Sequence, residues 1–339
     1  MLDPLNAIIE RSRQGQRVFV KERHLHGEGM ADLANVYFHT LRIPILFLNN
    51  VTAWQLWELK CFNMLNGDRF RAIASGRRKV ILDKLPGKSL WCYLKQARTT
   101  LPAVKAAARE FHRAPQMHSA EFGDNWSHGD ATATNVIYDQ KTDRARLIDF
   151  EIMHEPSQPA VERHADDLFV FLLDVLATVS ERQWLPLALG FLEAYGDADV
   201  IRAVKKKSVL SGGLAWIWWE VRTSFTKPSI VQKRLESLRR AIGPSRRCRF
   251  ADTRAPRFDH LSAGKSRNVR ASYATPADSS SLARFDSRKA RDGRRSPAPT
   301  NILKQVGVLM KTKLIAAAVV LSTAFLWPRS GVVDIRSHA

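Results

Sequence analysis

The chain has 339 residues, 45% of them hydrophobic, with nine Trp and sixteen Phe, which excludes a wholly disordered polymer and allows two packed lobes or one large domain with extensions. Its three cysteines, Cys61, Cys92 and Cys248, are too few and too scattered for a disulfide framework or a zinc cluster and point to a reducing, cytoplasmic compartment. The formal charge of +20 is uneven: residues 244–300 hold 14 Lys and Arg against 5 Asp and Glu, residues 301–339 hold 5 against 1, and 34 against 27 remain in residues 1–243, so the body is only mildly basic.

Asn6 to Arg13 and Arg17 to Glu22 read as strands around the turn Gln14-Gly15-Gln16, with Val18 and Val20 on one face and Phe19 and Lys21 on the other. From Thr52, a plausible N-cap, the stripe Leu56, Leu59, Phe62 and Met64/Leu65 predicts a helix that stops at Asn66-Gly67. Phe70 to Ala74 and Lys79 to Leu82 are short strands around Ser75-Gly76-Arg77, and the loop 83–88 leads to a helix starting near Ser89. Beyond it helices dominate: Leu101 to Arg113, Val161 to Val179, Trp184 to Tyr195, and a last region from Val200 to Ser224 with Trp216, Trp218 and Trp219. One β island, Asn135 to Phe150, interrupts them. The expectation is an α+β protein with a small β-rich lobe (1–88) and a helical lobe (89–243).

Residues 244–300 are rich in Arg, Ser, Ala, Pro and Asp and read as a disordered basic linker. In 301–339 an apolar run, Leu314 to Trp327, follows Lys311 and Lys313. As a helix it would reach about 21 Å, short of a hydrocarbon core of about 30 Å. A weak membrane tether and coding sequence fused from elsewhere are equally good readings of this tail. A structural role ranks below both. Met1 to Ile9 lacks the form of a secretory signal. Localisation is read as cytoplasmic, with the tail offering contact to an anionic membrane surface, and no specific nucleic-acid partner is predicted.

The chemistry concentrates in Trp126-Ser127-His128-Gly129-Asp130-Ala131-Thr132-Ala133-Thr134-Asn135 and in Arg146-Leu147-Ile148-Asp149-Phe150-Glu151. Val136 to Tyr138 and Arg146 to Ile148 are β-type runs. If they pair as a hairpin centred on Thr142, Asn135 and Asp149 fall opposite one another, with Asp130 on the loop at the same end. Two carboxylates and a carboxamide then converge. Hard oxygen donors of this kind suit Mg²⁺, which takes few protein ligands and shares its remaining positions with water and phosphate. Asn135 and Asp149 could hold the metal, leaving Asp130 to accept a proton from an attacking hydroxyl, a division of labour that fits phosphoryl transfer.

His128-Gly129-Asp130 with Asn135, followed by Leu147-Ile148-Asp149-Phe150, resembles the catalytic and metal-binding loops of the protein-kinase-like fold, in the branch of aminoglycoside and choline phosphotransferases and lipopolysaccharide-sugar kinases. The resemblance implies a two-lobed fold with a truncated N-lobe, ATP and Mg²⁺ as cofactors, and a small-molecule or glycan acceptor. Gly129 stands where protein kinases usually carry an Arg that senses a phosphorylated activation loop. By the same resemblance Lys21 grips phosphates, Glu58 positions Lys21, and the hinge from Asp83 to Leu85 contacts adenine through its backbone. Asp166 or Asp167 would brace the catalytic loop. The helices beyond residue 160, with Trp216 to Trp219, would wall the acceptor pocket.

Two features depart from the pattern: twenty residues precede Lys21 without a Gly-rich loop, and Glu151 replaces the glycine common after Asp-Phe. The reading that follows is a kinase acting on an alcohol group, and its rival is a catalytically inactive pseudokinase that serves as a binding module.

Overall fold

The structure, a computed structural model, describes residues 5–96, 100–210, 215–223 and 226–243. The expected linker and apolar tail, residues 244–339, lie outside these, as does the side chain of Trp216. Strand β1 (Asn6–Arg13) pairs with β2 (Gln16–Arg23) through Gln14 and Gly15, both at positive φ (50° and 79°), the two-residue turn whose twist matches a hairpin. Helix α1 (Gly27–Thr40), strand β3 (Ile45–Phe47) and helix α2 (Val51–Asn66) follow. Strands β4 (Ala72–Ala74) and β5 (Lys79–Asp83) complete an antiparallel sheet in the order β1-β2-β5-β4. Strand β2 therefore lies inside the sheet, where Lys21 faces Ile8 on one side and Val80 on the other.

The remaining elements are β6 (Lys88–Ser89), α3 (Leu90–Leu94), α4 (Thr100–Arg113), β7 (His118–Ser119), β8 (Asp124–Asn125), β9 (Val136–Asp139), β10 (Arg144–Leu147) and β11 (Ile152–His154). Helices α5 (Ala160–Thr178), α6 (Glu181–Tyr195), α7 (Ala198–Lys207), α8 (Ala215–Arg222) and α9 (Pro228–Ala241) are the last elements among the described residues. The architecture is α+β, with sheet concentrated toward the N-terminus and helix toward the C-terminus, as the sequence predicts. The core runs from α2 through α4 and α5 to α6, with Phe111, Phe171 and Phe191 in mutual contact. No described helix is long and apolar enough to cross a membrane.

Three local expectations need correction. The cap of α2 is Asn50, whose side chain accepts the N–H groups of Thr52 and Ala53. Its buried stripe is Trp54, Trp57, Glu58, Cys61, Phe62 and Leu65, while Leu56 is 62% exposed. The β9–β10 register pairs Val136 with Leu147, and the Ile148 N–H donates to the Asn135 carbonyl (3.0 Å). Asn135 thus faces Ile148, with Asp149 one residue beyond. The hairpin loop spans 140–143, an even number, so no single residue stands at its centre.

The largest departure is α1. It buries Ala31, Ala34, Tyr37 and Phe38 against β3, which pairs with β11 and so ties the segment between Lys21 and Glu58 to the chain after Asp149. Trp218 of α8 packs edge-on against Phe38 (5.4 Å between ring centroids) and Trp219 against Phe169 of α5 (5.2 Å). Helix α8 is wedged between α1 and α5 by these two rings.

Candidate active site

The loop from Asn125 to Asn135 lies along one face of α5, which meets its polar backbone with side chains. Arg163 donates to the Asn125 carbonyl (2.8 Å) and to the Ser127 hydroxyl (3.2 Å), and His164 bonds the Trp126 carbonyl (3.1 Å). The Asp167 carboxylate accepts the N–H groups of His128 (2.7 Å) and Gly129 (2.9 Å), and Asp174, two turns on, accepts that of Ala133 (2.8 Å). Of the two candidate braces, Asp167 therefore holds the loop, while Asp166 pairs with Lys207 (3.3 Å) and His154 (3.4 Å).

Burial raises the Asp174 carboxyl to about 6, against the Ala133 hydrogen bond and with the help of the nearby Asp130 charge. A carboxyl with a raised folded pKa stabilises the fold below its unfolded value near 3.8, and that contribution is lost as pH rises toward 6. Relative to Asp174→Asn, the wild-type protein should lose about 2–3 kcal/mol between pH 4 and pH 6.5. Urea unfolding of both proteins across that range measures it.

Gly129 has φ 85°, and a Cβ there would stand 2.9 Å from the Ile152 carbonyl oxygen and 3.0 Å from the Met153 Cα. The backbone of β11 occupies the space that any side chain at 129 would need. The glycine is a packing requirement in this chain.

Asp130 is 6% exposed and Asn135 equally so. The Asn135 amide nitrogen donates to the Asp130 carbonyl (2.9 Å) and carboxylate (3.1 Å), which turns its own carbonyl oxygen away from Asp130. His128 is neutral: burial lowers its pKa, Nε2 donates to the Ile148 carbonyl (3.1 Å), and Nδ1 accepts the Asp130 N–H (3.2 Å). Since Ile148 is also held by Asn135, one imidazole and one amide fix Asp130, Asn135 and the chain entering Asp149 in a common frame. Phe150 packs on His128 (5.2 Å) and Trp126 (5.8 Å) beneath it.

Lys21, 2% exposed, brings the N-terminal sheet to this frame. Its ammonium donates to Glu58 (2.7 Å) and to Asp149 (2.6 Å). Glu58 is wholly buried and also accepts the Phe150 N–H (3.1 Å). Burial raises its carboxyl pKa and the Lys21 charge opposes that rise. Asp149 itself has φ 70°, a conformation that costs a non-glycine residue about 1–3 kcal/mol and persists only where neighbours over-determine it. Glu151 is buried against Asn6 and Arg23 (3.3 Å), and Arg23 reaches the Leu48 carbonyl (2.8 Å). The residue that replaces a common glycine thus ties this loop to β1 and β2.

The hinge residues are placed less simply. Asp83 spends its N–H on the Arg71 carbonyl (2.9 Å) and its carboxylate on the Arg71 N–H (2.8 Å), and the Lys84 N–H goes to Arg17. The Leu85 side chain is in the core. The β1–β2 turn lies seven residues from Lys21, about 23 Å along the strand, too far to cover a group held by that lysine.

Sequence reasoning missed one residue outright. Arg222, 1% exposed, donates from Nη1 to Asp130 Oδ1 (2.5 Å) and lies 4.4 Å from the Trp218 ring. It sits 92 positions from its partner, beyond the reach of any spacing rule. The only signal was an arginine closing a Trp-rich helix.

The donor set suits a hard divalent cation. The Asp149 carboxylate, whose Oδ1 accepts from Lys21, follows directly on the chain that Asn135 holds, and Asn135 keeps a carbonyl oxygen not used on Asp130; both are donors of the hard type such a cation takes.

No family model matches the chain, and no curated protein matches it. Among solved structures it is similar to Rv3197 of Mycobacterium tuberculosis, a complex with erythromycin, at 15% identity over 56% of this chain and 51% of that one, with a TM-score of 0.30. It is also similar to a Plasmodium vivax ethanolamine kinase, at 9% identity over 71% of this chain and 80% of that one, with a TM-score of 0.35. The chain spans about half the length of the mycobacterial protein.

Proposed function

We propose that the chain is a phosphotransferase that uses ATP and Mg²⁺ to phosphorylate a hydroxyl of a small molecule or glycan. The observation that carries this reading is that two hydrogen-bonded groups, Lys21 with Glu58 and Asp149, and Asn135 with Asp130, are joined through the backbone of Ile148 and Asp149. Lys21 binds the nucleotide phosphates and Glu58 keeps its ammonium in place. Asp149 and Asn135 hold the metal, which when bound neutralises charge on the phosphates. Asp130 orients the acceptor hydroxyl and takes its proton as the acceptor oxygen bonds to phosphorus and the bond to the ADP oxygen breaks. The backbone of Asp83 to Leu85 borders the base. Residues 1–88 and 89–243 act as the two lobes, and truncation after Gly243 leaves this chemistry intact.

A second reading, a binding module without turnover, is favoured by two observations. Arg222 occupies one oxygen of Asp130, and the β1–β2 turn lies far from Lys21. Thermal-shift titration with Mg·ATP, run with an ADP-release assay over a panel of alcohols, separates the two. A dose-dependent rise in melting temperature with acceptor-dependent ADP release supports the phosphotransferase. A rise without turnover supports the binding module, and no rise, with the N-terminus shown intact by mass spectrometry, overturns the phosphotransferase and leaves the binding module.

A further inference from the structure

The proposed function leaves the acceptor open, and Arg222 narrows it. Its Nη1 is committed to Asp130, while Nε and Nη2 are buried and have no hydrogen-bond partner among the described residues. These two nitrogens share one edge of the guanidinium, the fork that takes both oxygens of a carboxylate or phosphate at once. Buried donors without acceptors are costly, and a residue 1% exposed has no bulk water to supply them. The guanidinium is also held against rotation. Trp218 covers one face, and Trp218 and Trp219 anchor its helix to Phe38 and Phe169.

We infer that the Nε–Nη2 edge of Arg222 is an anion subsite for the acceptor, so that the phosphorylated hydroxyl belongs to a molecule that also carries a carboxylate or phosphate. The inference rests on the phosphotransferase reading for the word acceptor, but the anion subsite stands without it. Arg222 would bridge the two partners, one edge on the acceptor anion and Nη1 on Asp130, which sets the neighbouring hydroxyl beside the carboxylate that receives its proton. Asp166 and Asp174 are two further carboxylates near enough for their charge to reach Arg222. Asp166 is already paired with Lys207 and His154, and Asp174 with the Ala133 N–H.

The test uses the full chain and its Arg222→Lys variant, which keeps a cation for Asp130 and removes the fork. Arg222→Met with Asp130→Asn serves as a charge-neutral control should the first variant fold poorly. Inorganic phosphate and glycerate should raise the melting temperature of the wild-type protein in a dose-dependent way, and glycerol at the same concentration should not. The apparent affinity for both anions should fall at least tenfold in Arg222→Lys while that for Mg·ATP stays within twofold. Equal anion effects in both proteins would overturn the subsite. A parallel loss of Mg·ATP binding would assign the fork to the nucleotide phosphates and overturn the acceptor assignment. If wild-type protein binds phosphate through Arg222 but never binds Mg·ATP, the phosphotransferase reading fails and the anion subsite survives.

Discussion

Replacing Asp130 by alanine should lower turnover at least about a hundredfold, with whichever alcohol supports it, while Mg·ATP affinity changes little. The expectation follows from placement. Asp130 is held through its main chain by His128 and Asn135 and through its carboxylate by Asn135 and Arg222, so its carboxylate has a fixed position, whereas Glu58 bonds Lys21 and the Phe150 N–H. In the proposed phosphotransferase a group placed this way would serve the acceptor side, and its loss would fall on kcat. The alanine variant also leaves Arg222 buried without its counter-charge, which threatens the fold. Asp130→Asn retains an oxygen for Arg222 and should show the same loss of turnover at a melting temperature near wild type. Turnover by Asp130→Asn within threefold of wild type would remove Asp130 from the proton-accepting role.

Lys21→Met should be the most destabilising single change at this site, costing about 3–5 kcal/mol near neutral pH. Lys21 and Glu58 are both almost fully buried, and the methionine would remove the ammonium that lies between the Glu58 and Asp149 carboxylates. The sign of the pH dependence follows. Burial already raises the Glu58 carboxyl pKa, and losing Lys21 raises it further. Protonation then relieves part of the penalty, so the variant should be closer to wild type at pH 5.5 than at pH 8. Glu58→Gln in the Lys21→Met background should recover much of the loss. Urea unfolding of the single and double variants at both pH values checks this. A loss below about 1 kcal/mol that does not vary with pH would mean the pair is not buried as described. The same variant should weaken Mg·ATP binding at least tenfold.

What the sequence made legible was mostly local. The β1–β2 hairpin is announced by Gln14-Gly15 between two alternating runs, and the β9–β10 pair by two short β runs around a polar loop. Their small loops leave few registers to choose among, although the choice of Thr142 as centre misplaced Asp149 by one residue. The approach of Lys21 to Glu58 across 37 residues came from resemblance alone; no spacing rule could supply it. Helix α1 was illegible because two glycines occupy its first turn and His26 offers no side-chain cap. The expected stripe of α2 holds at Phe62 and Leu65, with Leu59 and Met64 packed against the core, but fails at Leu56, and it omits the two tryptophans, the cysteine and the glutamate that share the buried face. Glu58 belongs to that face only because Lys21 waits there. Arg222 and the choice between Asp167 and Asp166 depend on how α5 and α8 pack, a property of the assembled fold.

The most direct test is an anomalous-difference map from crystals of the full chain grown with Mn²⁺ and a non-hydrolysable ATP analogue. The account predicts a manganese peak between the Asp149 carboxylate and the Asn135 carbonyl oxygen, with the triphosphate alongside Lys21. An analogue bound with its metal on other residues, or a manganese peak elsewhere while Lys21 and Asp149 keep their mutual contact, would contradict it.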